Sequence, residues 1–154
     1  MSNQIIPQSF DISALMLKDI IIVQAGINNP KSISSVEGNS INLDIGMEAA
    51  FNVGNKMIRL TFKCDLSSSD HTELQGSFEI AFYFVVDEFE KLVNVDDEEM
   101  KVNMADDFLL SIANITYSTS RGIIYSRCLG TVFNKIIIPV VSNDMIKKVI
   151  MNKG

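Results

Sequence analysis

The sequence predicts an α+β domain, with a four-stranded antiparallel sheet followed by a long helix and a short C-terminal helix. Apolar and polar residues alternate with period two through residues 41–86, which is typical of half-buried strands. In residues 102–129 apolar residues instead recur every three or four positions, which is typical of a helix. Because the strands precede the helices instead of alternating with them, we expect the helices to cover one face of the sheet.

Length and composition indicate one globular domain over residues 1–154. Apolar residues form 47% of the chain, which is too many for a disordered protein. Residues 1–9 are mostly polar, and we expect them to be flexible.

Four strands are predicted in sequence order. The first covers Leu15–Gln24 and leads into a long crossover, Gly26–Asn39, rich in Gly, Asn, Pro and Ser. The other three strands lie within residues 41–52, 57–66 and 74–86. Since short links join these three, we expect them to be antiparallel neighbours.

The first strand is apolar on both of its faces. Ile20 and Ile22 have one parity, whereas Leu17, Ile21 and Val23 have the other. This pattern fits an edge strand that pairs with a partner's edge. It fits a core strand covered on both sides equally well, and both interpretations stay open.

The long helix is predicted over Val102–Leu129, with Gly130 as its stop. We interpret the acidic run Asp96–Glu99 as lying at the start of this helix, where negative charge is favourable. Several large residues fall off the main apolar stripe, so that the helix is apolar on more than one side and is expected to contact a second layer, such as another subunit. These residues are Ile115, Tyr117, Ile124 and Tyr125.

The C-terminal part contains an extended segment and a last helix. Pro139 prevents a helix from running through Ile136–Val141. Ser142 is a suitable cap for a short helix over Asn143–Asn152.

The acidic balance of the chain disfavours several partners. The formal net charge of −6 repels phosphate backbones and anionic membrane surfaces. The longest apolar stretches, Ile20–Val23 and Ile136–Val141, are far shorter than the roughly 20 residues of a membrane-spanning helix. The N-terminus lacks the pattern of a secretory signal. We therefore expect a soluble, cytoplasmic protein that binds no nucleic acid and does not insert into a membrane.

Residue types that support catalysis or metal binding are sparse. The chain has one histidine, His71, and two separated cysteines, Cys64 and Cys128. A structural zinc site needs about four such ligands, and no glycine-rich phosphate loop is present. We expect no cofactor, no metal and no enzymatic activity, and we interpret the cysteines as buried thiols of a reducing compartment.

From Phe10 to about Lys153, the chain resembles the SecB family of export chaperones. No single motif is highly specific, and the order, spacing and coverage of several short segments support the likeness. The segments are Phe10-Asp11-Ile12, Leu17-Lys18-Asp19-Ile20, Phe78-Glu79-Ile80, Asn114-Ile115-Thr116-Tyr117-Ser118-Thr119-Ser120-Arg121, Gly130-Thr131 and Pro139-Val140-Val141-Ser142-Asn143-Asp144.

The resemblance implies a function and an assembly. It implies an ATP-independent holdase that binds unfolded or pre-export polypeptides and keeps them competent for translocation. It also implies a homotetramer, a dimer of dimers, in which edge strands pair across one interface and long helices pack across the other. Clients would lie in apolar grooves near the crossover loop and the last helix. The residues expected to contribute are Ile27, Ile33, Val36, Phe133, Ile136 and Ile138.

Motor docking is the part of the family's function that this chain matches least. In the family, acidic residues on the exposed sheet face dock the motor ATPase SecA. Asp19 and Glu79 match two of those positions, but Val23 stands at a third. The family's C-terminal tail with zinc ligands has no counterpart in the given sequence, and Ser118 replaces a proline of the helix motif.

Three functional classes follow from the sequence. The first is a holdase, serving either general export or, like some tail-less SecB-like proteins, an antitoxin of a toxin–antitoxin pair. The second is an interaction or scaffold protein of the same fold. The third is a ligand-binding or enzymatic domain, such as a hot-dog-like fold, although that fold places its long helix early in the chain.

Overall fold

The computed structural model describes residues 11–96 and 101–151, with only the backbone for Lys101 and Met151. The segment 1–9, predicted to be flexible, lies outside the described residues. The same holds for 97–99 of the acidic run and for the predicted last residue of the C-terminal helix, Asn152.

The sheet consists of β1 (Leu15–Ile27), β2 (Ile41–Asn52), β3 (Met57–Ser68) and β4 (Gln75–Val86). All neighbours are antiparallel, in the order β1-β4-β3-β2. Both β1 and β2 are therefore edges, with β4 and β3 as their only described strand partners. This confirms the predicted sheet and makes β1 an edge strand, not a covered central one.

The helical half begins with a one-turn helix, α1 (Phe89–Leu92), and a small hairpin of β5 (Val93–Asp96) and β6 (Lys101–Met104). Two helices follow, α2 (Asp106–Cys128) and α3 (Asn143–Met151). The order of four strands, a long helix and a short C-terminal helix confirms the predicted α+β class.

The predicted start of the long helix is wrong. Val102 lies in β6 opposite Val95, because the β-branched valines on this stretch pair across the hairpin. Asp96 ends β5, so the acidic run does not open the helix. Asp106 and Asp107 take that place in the first turn of α2.

One face of the sheet packs against α2 to form the core. Phe62 on β3 pairs with Ile80 on β4 and Met47 on β2, and all three are buried. The ring of Tyr117 on α2 meets Phe62 edge to face, with centroids 5.7 Å apart. Burying one such large side chain contributes about 1.5–3 kcal/mol.

The edge strand β1 is irregular and apolar. The register of its pairing with β4 shifts twice, once between Leu17 and Asp19 and again between Ile22 and Gln24, as at β-bulges. Met16 and Val23 are each 57% exposed. An apolar edge of this kind is a surface on which another chain would pair.

The connection between α2 and α3, residues 129–142, is irregular and mostly exposed, although a few of its apolar side chains are buried. It turns at Gly130, whose φ of +78° suits glycine. Phe133 and Ile136 then enter the core. No helix within residues 11–96 and 101–151 is both long and apolar enough to cross a membrane.

Candidate functional site

An open groove lies between the edge strand β2 and the helix α3, and we call it the β2–α3 groove. Its volume is 360 Å³. The residues that line it are Asp44, Ile45, Gly46, Met47, Met145, Lys148 and Val149.

The amphipathic character of α3 sets one wall of this groove. Ile146 is buried in the core, whereas Met145 on the next face is 51% exposed. Ser142 caps the helix as predicted, because its Oγ accepts a hydrogen bond from the Met145 N–H at 3.3 Å. Asn143 Oδ1 accepts from Asn114 Nδ2 at 3.2 Å, which ties the start of α3 to α2.

The other wall is the outer side of β2. Since β3 is its only described strand neighbour, β2 presents an edge to which an extended chain segment is able to add. Met145 lies across from this edge, and methionine side chains adapt to varied apolar partners. The groove thus combines a free strand edge with an apolar, adaptable lining.

Two of the described residues that line the groove are charged. Asp44 lies on the β2 side and Lys148 on the α3 side. Among the described side chains, no group of three or more His, Cys, Asp and Glu is arranged to hold a metal ion.

Comparison with known proteins gives a structural match. No protein-family model and no curated protein sequence matches the chain. A solved structure of the SecB-like chaperone of Mycobacterium tuberculosis, in complex with a ChAD peptide from the HigA1 antitoxin, is similar with a TM-score of 0.55. The two share 14% sequence identity, and the match covers 84% of this chain and 91% of that chain.

The chain has a SecB-like fold. This agrees with the sequence resemblance and with the order of four strands and two main helices. At this identity the match establishes the fold, so the site must be argued from the residues of this chain.

The client groove predicted from the resemblance is closed in this SecB-like fold. Val36, Phe133, Ile136 and Ile138 are at most 5% exposed and belong to the core. Ile27 and Ile33 are only half-buried and pack against that core. The four buried side chains expose almost no surface to a client in this protomer, so they do not line an open groove here.

The crossover loop closes that region because it is fastened to the connection after α2. The Val36 N–H donates to the Val132 carbonyl oxygen at 2.8 Å, and the Val132 N–H donates to Asn29 Oδ1 at 3.1 Å. Lys135 Nζ and Glu37 Oε1 form an ion pair at 2.5 Å. No sequence pattern predicts that two irregular segments will pack against each other in this way.

The β2–α3 groove was not predicted from the sequence. In the sequence, Ile45 and Met47 have the pattern of inward-facing residues of a strand. Met145 and Val149 have the pattern of an amphipathic helix. The available signal was the surplus of methionine, with 8 in the chain. It did not indicate which methionines face outward.

The four helix residues predicted to face another subunit separate into two pairs. Tyr117 and Ile124 are 3% and 0% exposed, so they belong to the core and that part of the prediction is wrong. The helical period puts both on the flank of the buried stripe. Tyr125 is exposed on the outer side of α2, whereas Ile115 is half-buried and packs against the core. Both belong to a row at three- and four-residue spacing, and their role in assembly stays a prediction. The row is Ile115, Ser118, Gly122, Tyr125 and Leu129.

The two acidic residues matched to motor docking lie on the sheet face that is turned away from α2. Asp19 is exposed and accepts a hydrogen bond from the N–H of Ile20 at 2.8 Å. Glu79 is opposite Lys63 on β3 and Gln24 on β1. Their role in docking stays a prediction.

Both thiols are buried. Cys64 and Cys128 have no exposed surface. Burial raises the pKa of Cys64 to about 12 and that of Cys128 to about 11. Neither thiol is a nucleophile near neutral pH, because the thiolate is the reactive form.

Proposed function

We propose that this protein is a chaperone that holds extended, unfolded segments of other polypeptides in the β2–α3 groove. The observation on which this rests is the position of an open, methionine-containing apolar groove directly beside a free strand edge. A client would add as a strand to β2, with backbone hydrogen bonds supplying sequence-independent affinity. Alternate side chains would enter the groove, where apolar burial is non-directional and accepts many sequences.

The antitoxin complex of the similar solved structure favours a dedicated client over general export. We propose an unfolded segment of an antitoxin-like partner as the main client. General pre-export polypeptides delivered to SecA are the second candidate, supported by Asp19 and Glu79 and disfavoured by Val23. Binding would require neither ATP nor catalysis, and it would take place in the cytoplasm.

We further propose that the protein works as a homo-oligomer, up to a tetramer, built through two surfaces. One is the apolar edge of β1, and the other is the outer row of α2. Tyr125 and Leu129 in this row are 52% and 53% exposed. Ser118 and Gly122, which lie between Ile115 and Tyr125 in this row, would leave room for a second helix to approach closely.

A pair of matched substitutions tests the groove. Met145 in the groove and Val53 in the β2–β3 turn are each 51% exposed, so Met145→Glu and Val53→Glu add the same charge at equal exposure. Binding of fluorescently labelled, reduced and carboxymethylated α-lactalbumin would be followed by anisotropy. We expect Met145→Glu to weaken binding about tenfold or more, which corresponds to about 1.4 kcal/mol, and Val53→Glu to leave it nearly unchanged.

Two results would overturn the groove proposal. One is the absence of binding by the unchanged protein to the unfolded form. The other is equal weakening by both substitutions. Selective binding of an antitoxin segment over α-lactalbumin would favour the dedicated client, and comparable affinities would favour the general holdase.

A further inference from the structure

Asp44 and Asp65 stand directly opposite each other across β2 and β3, on the sheet face turned away from α2. Like charges directly opposite in a sheet are unfavourable. Within residues 11–96 and 101–151, neither carboxylate lies within 4.0 Å of a basic group, since the nearby Lys63 pairs with Glu48 at 3.3 Å. Asp65 accepts a hydrogen bond from Ser77 Oγ at 2.7 Å, which partly compensates for the repulsion.

Asp44 and Asp65 line a second cavity, which we call the polar pocket. This pocket has a volume of 530 Å³ and is lined by residues of all four strands of the sheet. None of the described residues in its lining is basic. Its polar lining consists of Asn42, Asp44, Asp65, Ser67, Gln75 and Ser77.

Among the described residues, Asp44 alone lines both the polar pocket and the β2–α3 groove. It lies on β2, at the edge to which a client strand would add. Its two neighbours, Leu43 and Ile45, have the opposite parity and pack against the core. The edge therefore alternates between an apolar side and an acidic side at this point.

We propose that Asp44 is a specificity residue of the groove, which selects a basic side chain at one position of the bound segment. This inference rests on the proposed function. In a strand added to β2, the residue opposite Asp44 would have its Cβ about 4.5–5.5 Å from that of Asp44. A lysine or arginine there would meet two carboxylates, neither of which has a basic group of the described residues within 4.0 Å. The client residues on either side of it would face the apolar groove, in which Lys148 lies on the α3 side. The preferred client pattern is apolar, basic, apolar.

The test uses three short synthetic peptides with apolar residues at alternate positions. They differ only at one central intervening position, which is Lys, Gln or Glu. We expect the unchanged protein to bind the Lys peptide about tenfold more tightly than the Glu peptide, with Gln between them. Asp44→Lys should reverse the order, and Asp44→Asn should remove most of the difference.

Asp87→Lys is the matched control, because it changes the net charge by the same amount at an exposed site at the end of β4. It should keep the Lys peptide preferred. Equal effects of Asp44→Lys and Asp87→Lys would show a general charge effect and overturn the inference.

The inference and the proposed function fail in different ways. If the peptides bind and Met145→Glu weakens them, but Lys and Glu peptides bind alike, the groove stands and the role of Asp44 is wrong. If none of the peptides binds, or if Met145→Glu has no effect on them, the groove itself is wrong. Thermal unfolding of each variant would verify that it is folded.

Discussion

Thr116 and Ser120 lie one helical turn apart on the core side of α2, and both are fully buried. In the described part of the chain, neither side-chain hydroxyl has a hydrogen-bond partner. A buried hydroxyl without a partner costs about 1–3 kcal/mol. We therefore expect Thr116→Val and Ser120→Ala each to raise the free energy of unfolding by about 1 kcal/mol, because both remove the polar atom with little change in shape.

Urea unfolding followed by circular dichroism would measure these two changes. Thr119→Val provides a control on the same helix at a half-buried position, where the hydroxyl has access to water. A loss of stability in Thr116→Val and Ser120→Ala would mean that the hydroxyls are hydrogen-bonded in solution.

The outer row of α2 is expected to control assembly. Tyr125→Glu places a charge at an exposed position of this row, and the desolvation of that charge against a second copy would be unfavourable. We expect it to reduce the mass measured by light scattering after gel filtration, while the protomer stays folded. Asn134→Glu, in an exposed loop, should leave the mass unchanged. An unchanged mass for Tyr125→Glu would exclude this row from the interface.

The buried thiols predict a loss of stability in alkali. The pKa of Cys128 is raised from 9.0 to about 11, and that of Cys64 from 9.0 to about 12. At a pH between 9.0 and the raised pKa of each thiol, that thiol has lost its proton in the unfolded chain but keeps it in the folded chain. The free energy of unfolding therefore falls as the pH rises through this range. The slope is about 1.4 kcal/mol per pH unit for each thiol.

The contribution of the thiols is isolated by comparison with a Cys64→Ala, Cys128→Ala variant. Urea unfolding at a series of pH values from 8 upward would be measured for both proteins. Above about pH 9, the variant should show a shallower decline in stability. Parallel declines would show that other groups, such as tyrosines and lysines, account for the whole effect.

The sheet was predictable because its chemistry is repetitive. The alternation over Ile41–Asn52 predicted β2 with its observed bounds, since one buried and one solvated face impose period two on the sequence. Ser142 and Gly130 were likewise predictable, because capping and a positive φ select particular residue types.

The open groove was not predictable from the same patterns. Periodicity tells which side of an element is apolar, but not which apolar side chains the rest of the chain covers. Val36 and Phe133 were expected to line a groove, yet two irregular segments pack together and bury them. Met145 on α3 has the opposite outcome, because nothing in the described residues fully covers it.

The two shifts in the pairing of β1 have a consequence for misassembly. They leave only the four residues Asp19–Ile22 in uninterrupted register between them. Stacking into fibrils generally requires a flat segment of about six or seven residues, and bulges twist an edge out of that shape. Fibril growth through the β1 edge is thereby disfavoured, and a pairing at this edge would be short and limited to a specific partner.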